Sequence, residues 1–342
     1  LKLSDFDYTL PKELIAQYPM KERDGCRLLI LDRKAQTVCH RTFSDIPEYL
    51  KKDDLLVLND TKVIPARLFG RRKTGGKVEI FLLEKKNPIC EALVRPSARL
   101  AEGETIKLES GDDVEVLGRG EVGRFVRFAR PLDDILKEAG HIPLPPYIDR
   151  DDVDADETDY QTVFCASEGA TASPTAGLHF TQGLLDRVSG IGCRVSFVTL
   201  HTNFGTFAPV KIEEIEKHRM HKEFFRLPAE TIDAVRETKR AGGRVFAVGT
   251  TSARVLECCA DVLGAGSQDP GSSVSGYTDL YVFPGYNFKI VDGLITNFHL
   301  PKSTLLLLVS AFAGKEFIFD AYRRAVEEKY RFFSYGDAML IC

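Results

Sequence analysis

The sequence has no C-x-x-C pair. Its eight cysteines are Cys26, Cys39, Cys90, Cys165, Cys193, Cys258, Cys259 and Cys342. Most sit in apolar runs, so reduced core thiols of a cytosolic protein are expected, not a disulfide framework. No apolar run is long enough to span a bilayer. The longest, "STLLLLVSAFAG", has about a dozen residues where about twenty are needed, and reads as a buried helix. The opening "LKLSDFDYTLPKELIAQYP" is charged early and has no apolar h-region, so no signal peptide is expected there. A strong charge of one sign is missing too. The formal net charge is -4, which removes any global electrostatic argument for a nucleic-acid partner and leaves only a local patch. There is no internal repeat and no low-complexity tract.

What remains is ordinary globular composition, 44% apolar and 28% charged over 342 residues. That is enough chain for two or three domains and a substantial core. The first 65 residues mix strands ("RLLILD", "DLLVLND") with a short helix ("DIPEYL"). From Arg67 to Arg130 the pattern changes. "KVEIFLL", "CEALV", "TIKLE", "DVEVLG" and "RFVRFAR" are short strands with no helix between them, which suggests a small β-barrel or sandwich. The helix "LDDILKEAG" follows, then the proline-rich, acidic "HIPLPPYIDRDDVDADETD", a linker or binding loop. After Tyr160 the rhythm is α/β. "CRVSFVTL", "RVFAVG", "TDLYVF" and "GLITNF" read as strands. "PAETIDAVRETKRAGG", "TTSARVLECCADVL" and two C-terminal segments read as helices. The expected architecture is a discontinuous α/β domain, residues 1–65 and 151–342, with a small β-barrel and its linker inserted at 66–150.

Several motifs carry competing readings. "GRGEVG" at 118–123 matches a dinucleotide loop by spacing. An alternating strand follows it instead of a helix, so a hairpin turn is expected. "VGTTSARVLE" opens a helix with Thr250, Thr251 and Ser252 after a strand. It is either plain N-capping or a site for a carboxylate or phosphate. "HRMHKE" sets His218 and His221 at helical spacing. A metal site there would need a third ligand that is not apparent. Arg67, Arg71, Arg72, Lys73 and Lys77 surround the turn of "RLFGRRKTGGK", either as a solvated hairpin or as phosphate contacts on a polyanion.

The stretch "ASPTAGLHFT" at 172–181 places a side-chain-poor turn before a helix-like run. Thr175 can cap, Gly177 allows close approach, and His179 would stand at a pocket mouth as acid, base or donor. "LITNFHLP" repeats the device with Asn297 and His299, and "RFFSYGDAMLI" puts Asp337 among aromatics.

These residues resemble a known family. "DFDYTLPKELIAQYP", "VLNDTKVIPARLFGR", "GHIPLPPYI", "PTAGLHFT", "MHKE", "VGTTSARVLE", "TNFHLPKSTLL" and "YRFFSYGDAMLI" run along nearly the whole chain. They come in the order found in the S-adenosylmethionine:tRNA ribosyltransferase-isomerase family of the queuosine pathway. The resemblance implies an α/β domain with an inserted β-barrel. It also implies transfer and isomerisation of the ribosyl moiety of S-adenosylmethionine. The acceptor would be 7-aminomethyl-7-deazaguanine at the tRNA wobble position, and the products epoxyqueuosine-tRNA, adenine and methionine.

S-adenosylmethionine would be a consumed co-substrate, with no cofactor and no metal. The protein is expected to be a cytoplasmic monomer without membrane contact. The chain departs from the family pattern at Thr202 and Asn203, where Val-Gly is usual. It departs again at Phe164, Cys165 and Ser173, where Tyr, Ala and Ala are commoner.

The chemistry so implied needs a base for the acidified carbon beside the sulfonium, help for departing adenine, and exclusion of water. His179, His299 and Asp337 are the candidates for catalysis. Thr175, Gly177, Thr250, Thr251 and Asn297 are those for substrate binding, and Arg67, Arg71, Arg72, Lys73 and Lys77 those for RNA. Two rival readings stand beside it: a metal-dependent hydrolase using His218 and His221, and a non-catalytic RNA-binding module.

Overall fold

The computed structural model describes residues 1–202, 212–264 and 272–342; Asn203 lies outside the described residues. β1 (Arg27–Asp32) pairs antiparallel with β2 (Thr37–Thr42), and β3 (Leu55–Asn59) and β4 (Thr61–Val63) follow. The six strands β5 (Arg67–Arg72), β6 (Lys77–Leu82), β7 (Ile89–Arg95), β8 (Thr105–Leu108), β9 (Asp113–Arg119) and β10 (Arg124–Phe128) then close into a barrel. Alternate residues such as Leu68, Ile80, Val94, Ile106, Val114 and Val126 fill its interior. The helix α1 (Leu132–Ala139) adds Leu132, Ile135 and Leu136 to that core. Closure leaves the barrel no open edge. The 118–123 glycines form the turn between β9 and β10, with the Gly120 amide on the Gly123 carbonyl at 3.0 Å.

Beyond the short helix α2 (Asp156–Asp159), β11 (Ser167–Ala170) pairs with β4. The chain then alternates α3 (Gln182–Gly190), β12 (Arg194–Leu200), β13 (Glu223–Leu227), α4 (Ala229–Arg240), β14 (Val245–Val248), α5 (Gly249–Cys258) and α6 (Ala260–Leu263). β15 (Val274–Thr278), β16 (Gly293–Asn297), α7 (Thr304–Ala313), α8 (Lys315–Glu327) and β17 (Ala338–Ile341) complete it.

Nine strands from both ends of the chain form one sheet, in the order β15-β13-β12-β3-β14-β16-β17-β1-β2. Its centre, β12, β3, β14 and β16, is parallel. Central strands of such sheets are covered on both faces, which is why they read as continuous apolar runs. In β3, Leu55 and Val57 join one core cluster, while Leu56 and Leu58 join the other. β14 splits the same way, Val245 and Ala247 against Phe246 and Val248. The larger cluster takes apolar side chains from α4, α5, α7 and α8; the smaller takes those of α3 and the turn Phe43–Tyr49. Each fully buried Leu of α7, such as Leu307, contributes about 1.5–3 kcal/mol by leaving water.

Two expectations shift. "TDLYVF" is not a strand beyond Thr278. The side chain of Arg254, on α5, donates to the Leu280 carbonyl at 3.0 Å, so a helix takes the bond a strand neighbour would have made. The helix expected through "TTSARVLECCADVL" breaks at Cys259, where φ is -102° and ψ is 16°. Among the described residues no helix is long and apolar enough to cross a membrane.

Candidate active site

A cavity of about 250 Å³ opens beyond the carboxyl ends of β12, β14 and β16. Open α/β sheets gather ligands at this edge, because the loops leaving parallel strands splay apart there. Its wall comes from residues 172–176, 249–251 and 296–303, with Thr202, Leu305, Phe333 and Ser334. Tyr147, from the segment that follows the barrel, completes it. Thr175, Thr250, Thr251, Asn297 and His299, distant in sequence, therefore share one wall.

Asn297, the last residue of β16 and 2% exposed, ties this wall together. Its amide nitrogen donates to the Phe333 carbonyl at 3.1 Å and to His179 Nε2 at 2.9 Å, and its oxygen accepts from the Thr175 hydroxyl at 3.0 Å. A carbonyl can only accept, so the bond to Phe333 fixes the amide orientation. His179 Nε2 must then carry the lone pair. The proton of the neutral ring sits on Nδ1, 3.2 Å from the Cys26 sulfur. Burial, then the charges of Arg23 and Arg331, lower the His179 pKa to about 3. His179 lines a second, smaller cavity of about 60 Å³, beside Arg23, Cys26 and Tyr335. Asn297 and Ser334 belong to the partition between the two cavities.

His299 faces the larger cavity with both ring nitrogens engaged. Nε2 lies 3.1 Å from the Thr296 hydroxyl and Nδ1 3.3 Å from that of Tyr322. Burial lowers its pKa to about 3 as well. The structure does not bring Asp337 to either cavity. Its carboxylate accepts from the Arg27 amide at 2.9 Å and the Arg331 amide at 2.7 Å, fastening the start of β1 to the turn before β17. Burial raises its pKa, partly offset by those two amides.

Gly177 also faces away from the cavity. A Cβ there would lie 2.8 Å from Thr162 Cγ2 and 2.9 Å from Phe164 Cζ. The expectation that this glycine clears space for a ligand is replaced by a packing role. Gly177→Ala is expected to lower stability by about 1–3 kcal/mol, the usual cost of overpacking, and to leave ligand affinity of the folded protein unchanged. Chemical denaturation and calorimetric titration of the same sample separate the two.

Three buried hydroxyls of the wall, on Ser173, Thr202 and Thr251, have no hydrogen-bond partner among the described residues. No carboxylate lines the larger cavity among the described residues, and Lys302 is its one Lys or Arg. The composition suits a polar, largely uncharged ligand surface with fixed donors. Sequence reasoning alone misses Tyr147 and Ser334, whose hydroxyls meet at 2.6 Å. A signal for them is present, since "PLPPY" and "RFFSYGD" set a tyrosine and a serine among prolines, glycine and aromatics.

The basic hairpin is formed by β5 and β6 at the barrel surface. Arg72 is held by Glu104 through two bonds, at 2.6 and 3.0 Å, and Arg67 by Glu79 at 2.8 Å. Arg71, Lys73 and Lys77 are exposed. Around His218 and His221 no helix forms. His218 follows a single turn, Ile215–Lys217, and its ring packs on Tyr281 with centroids 5.2 Å apart. No group of three metal-ligating side chains occurs among the described residues.

The family model described as "Queuosine biosynthesis protein" matches residues 3–341. The chain is 51% identical to the S-adenosylmethionine:tRNA ribosyltransferase-isomerase of Trichlorobacter lovleyi, over 99% of each chain. It is 50% identical to the protein of that name from Sulfurihydrogenibium sp., over 100% of each. The crystal structure of S-adenosylmethionine tRNA ribosyltransferase from Thermotoga maritima superposes with a TM-score of 0.57 at 40% identity, covering 99% of this chain and 100% of that one.

Proposed function

We propose, from the premise that this chain belongs to the queuosine biosynthesis protein family, that it is an S-adenosylmethionine:tRNA ribosyltransferase-isomerase. It transfers and isomerises the ribosyl moiety of S-adenosylmethionine onto 7-aminomethyl-7-deazaguanine at the tRNA wobble position. Adenine and methionine are released, and the product is epoxyqueuosine-tRNA. The observation that carries this reading is the wall of the 250 Å³ cavity, where the separate family-like motifs converge on one buried network around Asn297.

The reaction begins with loss of a proton from the 5′ carbon beside the sulfonium. Ring opening expels adenine, the deazaguanine amine attacks, and methionine leaves as the epoxide closes. His299, neutral and lining the cavity, is proposed for the proton work, which requires it to exchange its bond to Thr296 or Tyr322 for the substrate. His179 and Asp337 act by position. One is fixed through Asn297, the other clamps the Arg27 and Arg331 backbone. The apolar parts of the wall, from Ala172, Pro174, Ala176, Phe298, Leu300 and Phe333, serve to keep water from reactive intermediates. Nothing in this sequence of steps calls for a metal, a second cofactor, a membrane or a second subunit, and the protein is proposed to work as a cytoplasmic monomer.

The test incubates the protein with S-adenosylmethionine and tRNA carrying 7-aminomethyl-7-deazaguanine, then weighs the nucleosides. Epoxyqueuosine with free adenine is expected, and is expected to persist after exhaustive chelation. A methylated base, or no adenine, contradicts the assignment. Activity that vanishes on chelation and returns with zinc contradicts the metal-free chemistry.

For RNA, the exposed Arg71, Lys73 and Lys77 are proposed to meet phosphates. Removing one such charge from a phosphate should flatten the slope of log affinity against log salt by roughly 0.7 to 0.9. Arg71→Gln with Lys77→Gln is therefore expected to change the slope by about one to two units and weaken tRNA binding. Arg72→Gln instead releases Glu104 and loosens the barrel. Salt titrations of tRNA binding decide this, and an unchanged slope moves the RNA surface elsewhere.

A further inference from the structure

Of the helices ending at the cavity, α7 is closed by its own N-cap, the Ser303 hydroxyl accepting from the Leu306 amide at 3.2 Å. α5 is not. Val248 stands at its cap position and offers no side-chain oxygen. The amides of a first helical turn have no intrahelical acceptor, and the dipole adds partial positive charge there. Gly249, Thr250 and Thr251 of this turn line the cavity. Gly249 adopts φ +84°, and a Cβ at this position would fill the gap between Thr251 Oγ1, 3.4 Å away, and the Ala176 methyl, 3.6 Å away.

A second observation is independent of the helix end. Thr251 is 8% exposed and its hydroxyl, like those of Ser173 and Thr202 in the same wall, has no hydrogen-bond partner among the described residues, while Asn297, Thr175 and His299 are bonded. Buried hydroxyls without partners are uncommon in folded proteins and point to a missing acceptor or donor. The competing cation is accounted for: Lys302 Nζ pairs with Asp7 at 2.5 Å.

We infer that the uncapped first turn of α5, with the Thr251 hydroxyl, is the subsite that receives the carboxylate of the amino-acid arm of S-adenosylmethionine. This rests on the function proposed above. It orients the co-substrate with its carboxylate at α5 and its sulfonium toward the Asn297 and His299 side of the same wall.

The test is calorimetric titration of the intact protein with S-adenosylmethionine and with its decarboxylated analogue. The analogue is expected to bind about ten- to a hundredfold more weakly, the loss of charge-assisted bonds. Thr251→Val is expected to weaken S-adenosylmethionine severalfold and leave the analogue unchanged, so that the two changes are not additive. Thr251→Ser, which keeps the hydroxyl, should restore discrimination and guards against a folding defect in the valine variant. Equal affinity of the wild type for both ligands overturns the inference while the proposed function stands. So does loss of discrimination in Lys302→Met with none in Thr251→Val. Failure of the wild type to bind S-adenosylmethionine at all overturns the proposed function and the inference with it.

Discussion

Asn297→Leu is expected to destabilise the protein by about 3–5 kcal/mol and to reduce turnover at least a hundredfold. The substitution strands the buried His179 Nε2 lone pair and the half-buried Thr175 hydroxyl, and takes one of two donors from the Phe333 carbonyl, which keeps the Gly336 amide at 2.9 Å. Each unsatisfied buried group costs about 1–3 kcal/mol, and loss of a buried network is among the few routes to large effects. The kinetic loss follows from geometry. Thr175 lies on one side of Asn297, and the Phe333 carbonyl on the other, and a shift of about 1 Å in a substrate-positioning wall can cost two orders of magnitude. Denaturant unfolding and single-turnover kinetics on the folded fraction measure the two parts. A variant that unfolds like wild type would show that the network does not hold the wall.

The second large effect concerns acid. His179 and His299 both have pKa values of about 3 in the fold, because burial disfavours the imidazolium. An unfolded histidine titrates near 6.5. Between these values the unfolded chain binds protons that the folded chain refuses, so stability falls as pH falls. The window opens near pH 6.5 and closes near pH 3, and each histidine costs about 1.4 kcal/mol per pH unit well inside it.

Asp337 works in the opposite sense lower down. Its carboxyl is raised by burial, so the folded state takes up that proton first. The two histidines outweigh it over the upper part of the window, where a carboxylate of ordinary pKa is still ionised. Unfolding free energy measured from pH 7 to pH 5 should drop steeply, and His299→Gln should flatten the drop by about one proton. A flat profile would mean that the histidines are protonated in place.

The strands were legible because both-sided burial writes itself as unbroken apolar runs, and "RLLILD" and "DLLVLND" match β1 and β3. The barrel was legible from its alternation, as in "RFVRFAR" against β10. β17 was harder to find. "AMLI" is four residues long, and nothing local distinguishes it from a helix end. It is a strand because β1 and β16 stand on either side of it.

At the site, the segments with small residues and histidines before helices lie at the two cavities, His299 in the larger and His179 in the smaller. Their roles were not legible. Whether Gly177 looks into the cavity or back at Phe164 depends on a local chain reversal, and whether Asp337 faces a ligand or two backbone amides depends in part on Arg27, at the other end of the chain. The basic hairpin shows the same limit. Five basic residues looked equivalent until the partners of Arg67 and Arg72, Glu79 and Glu104, arrived from elsewhere in the barrel.

A crystal structure of the protein soaked with S-adenosylmethionine is the most direct measurement. Ligand density is expected in the cavity beyond β12, β14 and β16, within hydrogen-bonding distance of Thr251 and against the wall held by Asn297 and His299. Density in the smaller cavity beside Cys26 or on the barrel, with this cavity left empty, would contradict it.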